Sequence, residues 1–429
     1  MAPKLPNYLR LLALLAIWFA PSNLPAQDSV TLKSLQTEAR DALQQRDRER
    51  IAEVTEKLRR VLAEKAGVPE VPDEPRPVPE LSRPWTATET RAAWPTIRTY
   101  IQRNKWWRLD LEPTQCNHAL REVATVIEAC VAAAEVDQDH ASEWIDMALE
   151  ASEFILLAQK QADLGLYPFP AIRNGKGRPF EVAENFMRRA ERAGQLETII
   201  KNGWLVNDLG DGGLQFDNGE AGVALLHLYE KTQQPQLLES VLLSAEWASQ
   251  QPMVVNWNYN SFTVYLLAET YRVTGKEEYR NEAKTRALIS VLPGQLKNGP
   301  QIGRWLDPHN ARPAYHYIMI RALLALVAVL PENDPDRPAM IESIRLAFKA
   351  RNVDFKKGII NGDSALEALL RAQRLPPAIL AELGDCQIDM ALNSLEAYGI
   401  ERWRAGQPAL GASAWCDWLS YQQSKQARK

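Results

Sequence analysis

The chain holds only four cysteines in 429 residues, Cys116, Cys130, Cys386 and Cys416, and no Cys-x-x-Cys pair. Neither a zinc knuckle nor a thioredoxin-type redox site is indicated. Positive charge is not in excess: 50 basic against 54 acidic side chains give a formal net charge of -4 and a pI near 5.9. No general electrostatic attraction to nucleic acid or to an anionic membrane follows. Period-two alternation of apolar and polar residues is almost missing, which argues against a β-rich fold. The N-terminal apolar run, Leu11 to Ala20, is too short to span a bilayer, which takes about 20 residues.

What is present fits a soluble globular chain, with 46% apolar and 24% charged residues. Lys4 and Arg10, the apolar run and Pro25-Ala26 read as a secretory signal over residues 1–26, with export to the periplasm or the extracellular space. No stable membrane span is expected after its removal. In an exported chain the cysteines can pair. A straight helix over 117–130 would separate its ends by about 20 Å, beyond the ~6 Å that a disulfide spans between Cα atoms. Cys116 and Cys130 should therefore not bridge each other, while bridges to Cys386 or Cys416 and four free thiols both stay open. Residues 27–68 read as an amphipathic helix bearing Leu32, Leu35, Leu43, Ile51, Val54, Leu58 and Leu62. Such a helix self-associates through 31–66, packs on the rest or is a plain spacer, and the sequence leaves all three open. Six prolines between Pro69 and Pro84 mark 69–84 as a stiff linker.

From residue 85 to 429 helical periodicity dominates. Helices are expected over 88–104, 117–136, 139–163, 180–202, 313–330, 335–352, 362–383, 386–403 and 413–425, with two helical hairpins between Gly212 and Leu292. Shifting the chain by 42 residues lays Asn218 on Asn260, Leu225 on Leu267, Tyr229 on Tyr271, Thr232 on Thr274 and Ala245 on Ala287. A lone hairpin cannot cover its apolar face, so such units stack. The expected fold is all-α, an (α/α) toroid of five or six hairpins; an open superhelix is the rival, disfavoured by the long irregular loops.

Three stretches in this order carry a family resemblance. Phe216-Asp217-Asn218-Gly219-Glu220-Ala221 resembles the Asp-Asn-Gly helix of the pectate lyases of polysaccharide lyase family ten. Trp257-Asn258-Tyr259-Asn260-Ser261 stands where that family has a phenylalanine and an Asn-Asp-Asp cluster. Gly303-Arg304-Trp305-Leu306-Asp307 and Arg312-Pro313 look like its Ala-Arg-Phe-Tyr-Asp and Asn-Arg-Pro segments. The resemblance covers roughly residues 212 to 320. It implies an (α/α) toroid that cleaves acidic polysaccharide or oligosaccharide by β-elimination, with calcium helping to hold the sugar carboxylate. By position it implies Asp217 as calcium ligand or sugar contact, Arg304 as carboxylate-binding arginine oriented by Asp307, and Arg312 as a second basic contact. Asn218, Trp257, Asn258 and Asn260 would line the sugar site. The chain departs from the family in having Asn258 and Asn260 in place of aspartates, which weakens any calcium site. It also lacks the Gly-Gly-Trp-Pro loop, and the family's catalytic arginine falls on no residue here. Tyr315, His316, Tyr317 and His309 are the nearby groups able to move a proton, His316 foremost.

Other residues permit other chemistry. Asp208, Asp211, Asp217 and Glu220 could supply the two carboxyl groups of an inverting glycoside hydrolase, which stand roughly 6.5 to 9.5 Å apart. Asp217 and Asn218 also suit helix capping. Asn207 to Gly213 lacks the closing glutamate of an EF-hand and reads as a turn. Tyr167-Pro168-Phe169-Pro170 with Arg173, Lys176 and Arg178 is either a rim for an acidic glycan or a solvated loop. A third class, a non-catalytic glycan-binding or scaffold descendant, fits the altered metal positions.

Overall fold

Apolar residues recurring every three or four positions, broken where Gly and Pro gather, produce the helices. The computed structural model describes residues 34–35, 37–42, 45–65, 80–173, 175–254, 256–305, 313–356, 362–406 and 411–427. Regular structure there is mostly helical. The helices are α1 (Arg48–Lys65), α2 (Ala87–Arg103), α3 (Leu120–Ala134), α4 (Ala141–Ala162), α5 (Arg178–Arg192), α6 (Gly213–Thr232), α7 (Pro235–Gln250) and α8 (Trp257–Thr274). They continue as α9 (Glu277–Ser290), α10 (Pro313–Val329), α11 (Arg337–Lys356), α12 (Gly362–Gln373), α13 (Pro377–Leu383), α14 (Ile388–Arg404) and α15 (Ala412–Ala427). One small antiparallel sheet joins β1 (Phe169–Pro170), β2 (Ile200–Lys201) and β3 (Trp204–Leu205) in the order β1-β3-β2. Phe169 pairs with Leu205 and Ile200 pairs with the same residue from the other side.

Two compact units divide these residues. The first takes 80–250 and 396–427, the second takes 251–395 with the described part of 34–65. In the first, α3 lies between α6 and α15, α4 backs α3, and α7 backs α6. Arg121, Glu128 and Glu135 of α3 and its end meet Asp217, His227 and Lys231 of α6 in the same order, so the two helices run parallel. Helices apolar on most sides belong inside a bundle, and α3 and α6 are buried along nearly their whole length.

In the second unit α10 lies between α8 and α12, with α9 behind α8 and α11 behind α10. Mid-helix Arg321 of α10 stacks 4.3 Å over Tyr265 of α8 and pairs with Glu367 of α12, which joins the three helices at their middles. Arg337 donates to the carbonyls of Val327 and Leu330 at 2.9 and 3.0 Å, closing the end of α10. Residues 37–42 and α1 are separated by a turn at Arg46 (φ 53°), so the one helix expected over 27–68 is interrupted among the described residues. Its apolar face is used within the unit: Ala42 and Ile51 pack with Met253 and Ile289, and Arg46 grips Glu282 at 2.9 Å. The segment 1–26 and the prolines from Pro69 to Pro79 lie outside the described residues.

Other expected helices shift at identifiable points. The one over 180–202 stops at Arg192, where Gly194 turns the chain at φ 66°, and the rest forms a short helical turn and β2. The one over 362–383 splits at Pro376-Pro377, where amide donors are missing. The 42-residue repeat is real in local structure. Gln233 after α6 and Gly275 after α8 both take left-handed backbone, and both donate to a tyrosine carbonyl, Tyr229 or Tyr271, at 2.7 Å. All four cysteines are buried and free. No described helix is long and apolar enough to cross a membrane.

Candidate functional site

Of the expected lyase-site residues that are described, Asp217 and Asn218 lie in the first unit, and Trp257, Asn258, Asn260, Arg304, Tyr315 and His316 lie in the second. At the start of α6, Asp208 accepts the amide hydrogens of Gly210 and Leu214, both at 3.0 Å, and so caps the helix. Asp217, fully buried, receives Nε of Arg121 at 2.9 Å on one oxygen and Nη2 on the other. The same guanidinium lies 3.7 Å over the ring of Phe216. Burial pushes the Asp217 carboxyl up and Arg121 pulls it back. Both oxygens are engaged, so a calcium ion here would have to displace Arg121, and the donor set does not suit the metal. Among the described residues no three His, Cys, Asp or Glu side chains gather as a metal site.

Asn218 spends all four of its hydrogen-bonding capacities on the protein. Its Oδ1 accepts from the Tyr167 amide at 2.8 Å and from Ser244 Oγ at 2.9 Å, while Nδ2 donates to the carbonyls of Tyr167 and Leu214. It ties a loop to α6 instead of meeting a sugar. Tyr167 and Phe169 are buried as well, so the aromatic part of the stretch weighed as a rim or a solvated loop is core, while Arg173 and Lys176 are exposed. Of the other hydrolase candidates, Asp211 pairs with Arg189 at 2.8 Å. Beside Asp217 stands Glu122, half-buried, which accepts the Ala119 amide at 3.1 Å. Burial raises its carboxyl to about 7, the backbone bond and Arg121 opposing and the Asp217 charge adding to the rise. Nearby His118 stacks on Trp106, centroids 4.2 Å apart, and burial lowers it to about 4.

In the second unit Asn260 repeats the task of Asn218. Its Oδ1 accepts the Val254 amide at 2.9 Å, and its Nδ2 donates to the carbonyls of Val254 and Ser290 at 2.6 and 2.9 Å. Trp257 is buried against Gly294, where an added Cβ would sit 2.5 Å from the ring, so it packs in the core and presents no stacking face to a sugar. Asn258 and Tyr315 are buried too. His316 stands edge-on to Trp305, centroids 5.6 Å apart, and the Trp305 Nε1 donates to the Val291 carbonyl.

Arg304 is brought to this end by a turn in which Leu296 donates to the Arg304 carbonyl and Gly303 donates to that of Leu296. Its Nη1 and Nη2 grip Asp354 of α11 at 3.0 and 2.7 Å, and its side chain is 13% exposed. Asp307, expected to orient it, lies outside the described residues with His309 and Arg312; Asp354 does that work. Arg351, one turn earlier on α11, has Nη1 2.9 Å from the same carboxylate, an ion pair without a hydrogen bond. Tyr317 lies close to both charges: burial first, then Asp354, drives its hydroxyl well above the usual 10, with Arg304 opposing. The structure thus gathers Arg304, Arg351, Asp354 and Tyr317, with His316 beside Trp305. Arg351-x-x-Asp354 has the spacing of a helical ion pair and was the one signal of these two residues in the sequence. Comparison adds no relative: no family model matches the chain and no curated protein matches it.

Proposed function

We propose that the protein is an exported (α/α) toroid that acts on uronate-containing glycan by β-elimination, at the N-terminal ends of the second unit's inner helices. The observation that supports it is the pair of guanidinium groups, Arg304 and Arg351, sharing the single carboxylate of Asp354 beside a phenol held protonated. In this reading the partly exposed Arg304 side holds the sugar carboxylate, whose charge grows as the neighbouring carbon loses its proton. The freed electron pair forms a carbon–carbon double bond, the glycosidic C–O bond on the next carbon breaks, and the leaving oxygen takes a proton. Tyr317, too weak an acid to serve as base near neutral pH, suits the donor's part; His316 suits the acceptor's. No calcium step is included, because Asp217 is committed to Arg121. Inner helices backed by outer ones, the parallel run of α3 and α6, and the return of α15 to lie beside α3 are features a toroid requires.

A second reading, an inverting hydrolase in the first unit, is favoured by Glu122 alone: a carboxyl raised to about 7 suits a general acid at neutral pH. One assay separates the two. Purified protein is incubated with a panel of acidic polysaccharides while ultraviolet absorbance of unsaturated product and release of reducing ends are followed. Elimination predicts absorbance that Arg304→Ala abolishes. Reducing ends without absorbance, lost in Glu122→Gln, would replace it with the hydrolase, and silence in both would leave a binding or scaffold role.

A further inference from the structure

Arg351 is 1% exposed, and among the described residues none of its Nε, Nη1 and Nη2 has a hydrogen-bond partner. Only Nη1 approaches a counter-ion, and that carboxylate is already gripped by both terminal nitrogens of Arg304. A guanidinium cannot shed its proton, so a buried one needs both charge and acceptors around it. Three other arginines turn the same Nε–Nη2 edge to a carboxylate. Arg121 presents it to Asp217, Arg337 to Glu382 and Arg404 to Glu89. Each of those edges holds the two oxygens of a carboxylate, the geometry to which the parallel N–H bonds are matched.

We propose that the Nε–Nη2 edge of Arg351 is a binding site for a carboxylate that comes from outside the chain. Among the described residues the cluster of Arg304, Arg351 and Asp354 has two positive charges against one negative, so it calls for a monoanion. Two parallel donors call for two coplanar oxygens, which a carboxylate has and a halide lacks. The inference deepens the proposed function and rests on it only for one source of the group, the uronate of a glycan; a free small carboxylate offers the same chemistry.

Calorimetric titration of the full chain with sodium acetate and, separately, sodium glucuronate, against sodium chloride of equal ionic strength, tests the site directly. One saturable carboxylate per chain is expected, with a rise in the unfolding midpoint that chloride does not reproduce. Arg351→Lys keeps the charge but not the forked edge, and both signals are lost. Should that variant not fold, the unaltered protein still decides: no saturable heat with either salt, or an equal shift in chloride, overturns the site. Acetate binding without glucuronate binding supports the site and excludes the uronate source. Unsaturated product from a protein that binds neither salt would sink this inference and leave elimination standing, whereas carboxylate binding without product would do the reverse.

Discussion

Asn218 and Asn260 each fasten the N-terminal part of an inner helix to both the amide and the carbonyl of one loop residue, Tyr167 in one copy and Val254 in the other. Both are buried; Asn218 makes four hydrogen bonds and Asn260 three, and each satisfies backbone groups of the loop it holds. Replacement by Ala leaves those groups unpaired, and we expect a loss of about 2–4 kcal/mol for either variant, measured by denaturant unfolding. If they were sugar contacts, binding would fall while the unfolding curve stayed in place. The polar character of these positions was plain in the sequence; their use was not. A hydrogen bond to a loop 51 residues away leaves no local trace. The same holds for Arg121, 96 residues from Asp217, and for Asp354, 50 residues from Arg304. Residue type marked the ends of the inner helices, and the partner that fixes each role came from folding.

Helices were legible where periodicity and punctuation agree. Expected ends for α2, α4 and α10 fall within two residues of the observed ones. Where a proline pair or a left-handed residue intervenes, as at Pro376 or Arg46, an apolar pattern ran on past the real break. The turn before α10 shows what such punctuation does for the site. Gly303 has φ +85°, and a Cβ there would lie 2.1 Å from the Leu346 carbonyl oxygen of α11. Its own carbonyl accepts from Gln295, which in turn is held by Ser343 of α11. Gly303→Ala should therefore push this turn off α11 and carry Arg304 away from Asp354, at a cost of more than about 2 kcal/mol. Thermal unfolding measures the cost; an unchanged midpoint would mean that the turn does not depend on that close approach.

At the scale of the whole molecule, two groups give stability opposite slopes in pH. Glu122 is raised from 4.5 to about 7, so between those values the folded state holds more protons than the unfolded one, and stability falls as pH rises. His118 is lowered from 6.5 to about 4, so over that range the unfolded state holds more protons and stability rises with pH. Glu122→Gln should remove a decline of about 1–3 kcal/mol between pH 4.5 and 7, leaving the His118 rise exposed, as read from unfolding free energies across pH. A parallel loss at every pH would show instead that Glu122 matters only as the cap of α3.

The helical class was legible at this scale because apolar spacing reports it directly, whereas the division into two units was not, since it depends on which distant helices meet. That division orders events in time. Apart from the described part of 34–65, which precedes both, the helices of the second unit are continuous in sequence from 251 to 395, but the first unit takes α15 from the far side of that stretch to cover α3. As the chain is synthesised, residues 80–250 must wait with α3 uncovered until 412–427 exist, so the earlier segment is the later to be finished. Any export of the chain before that point would move it in a state with an apolar face still open.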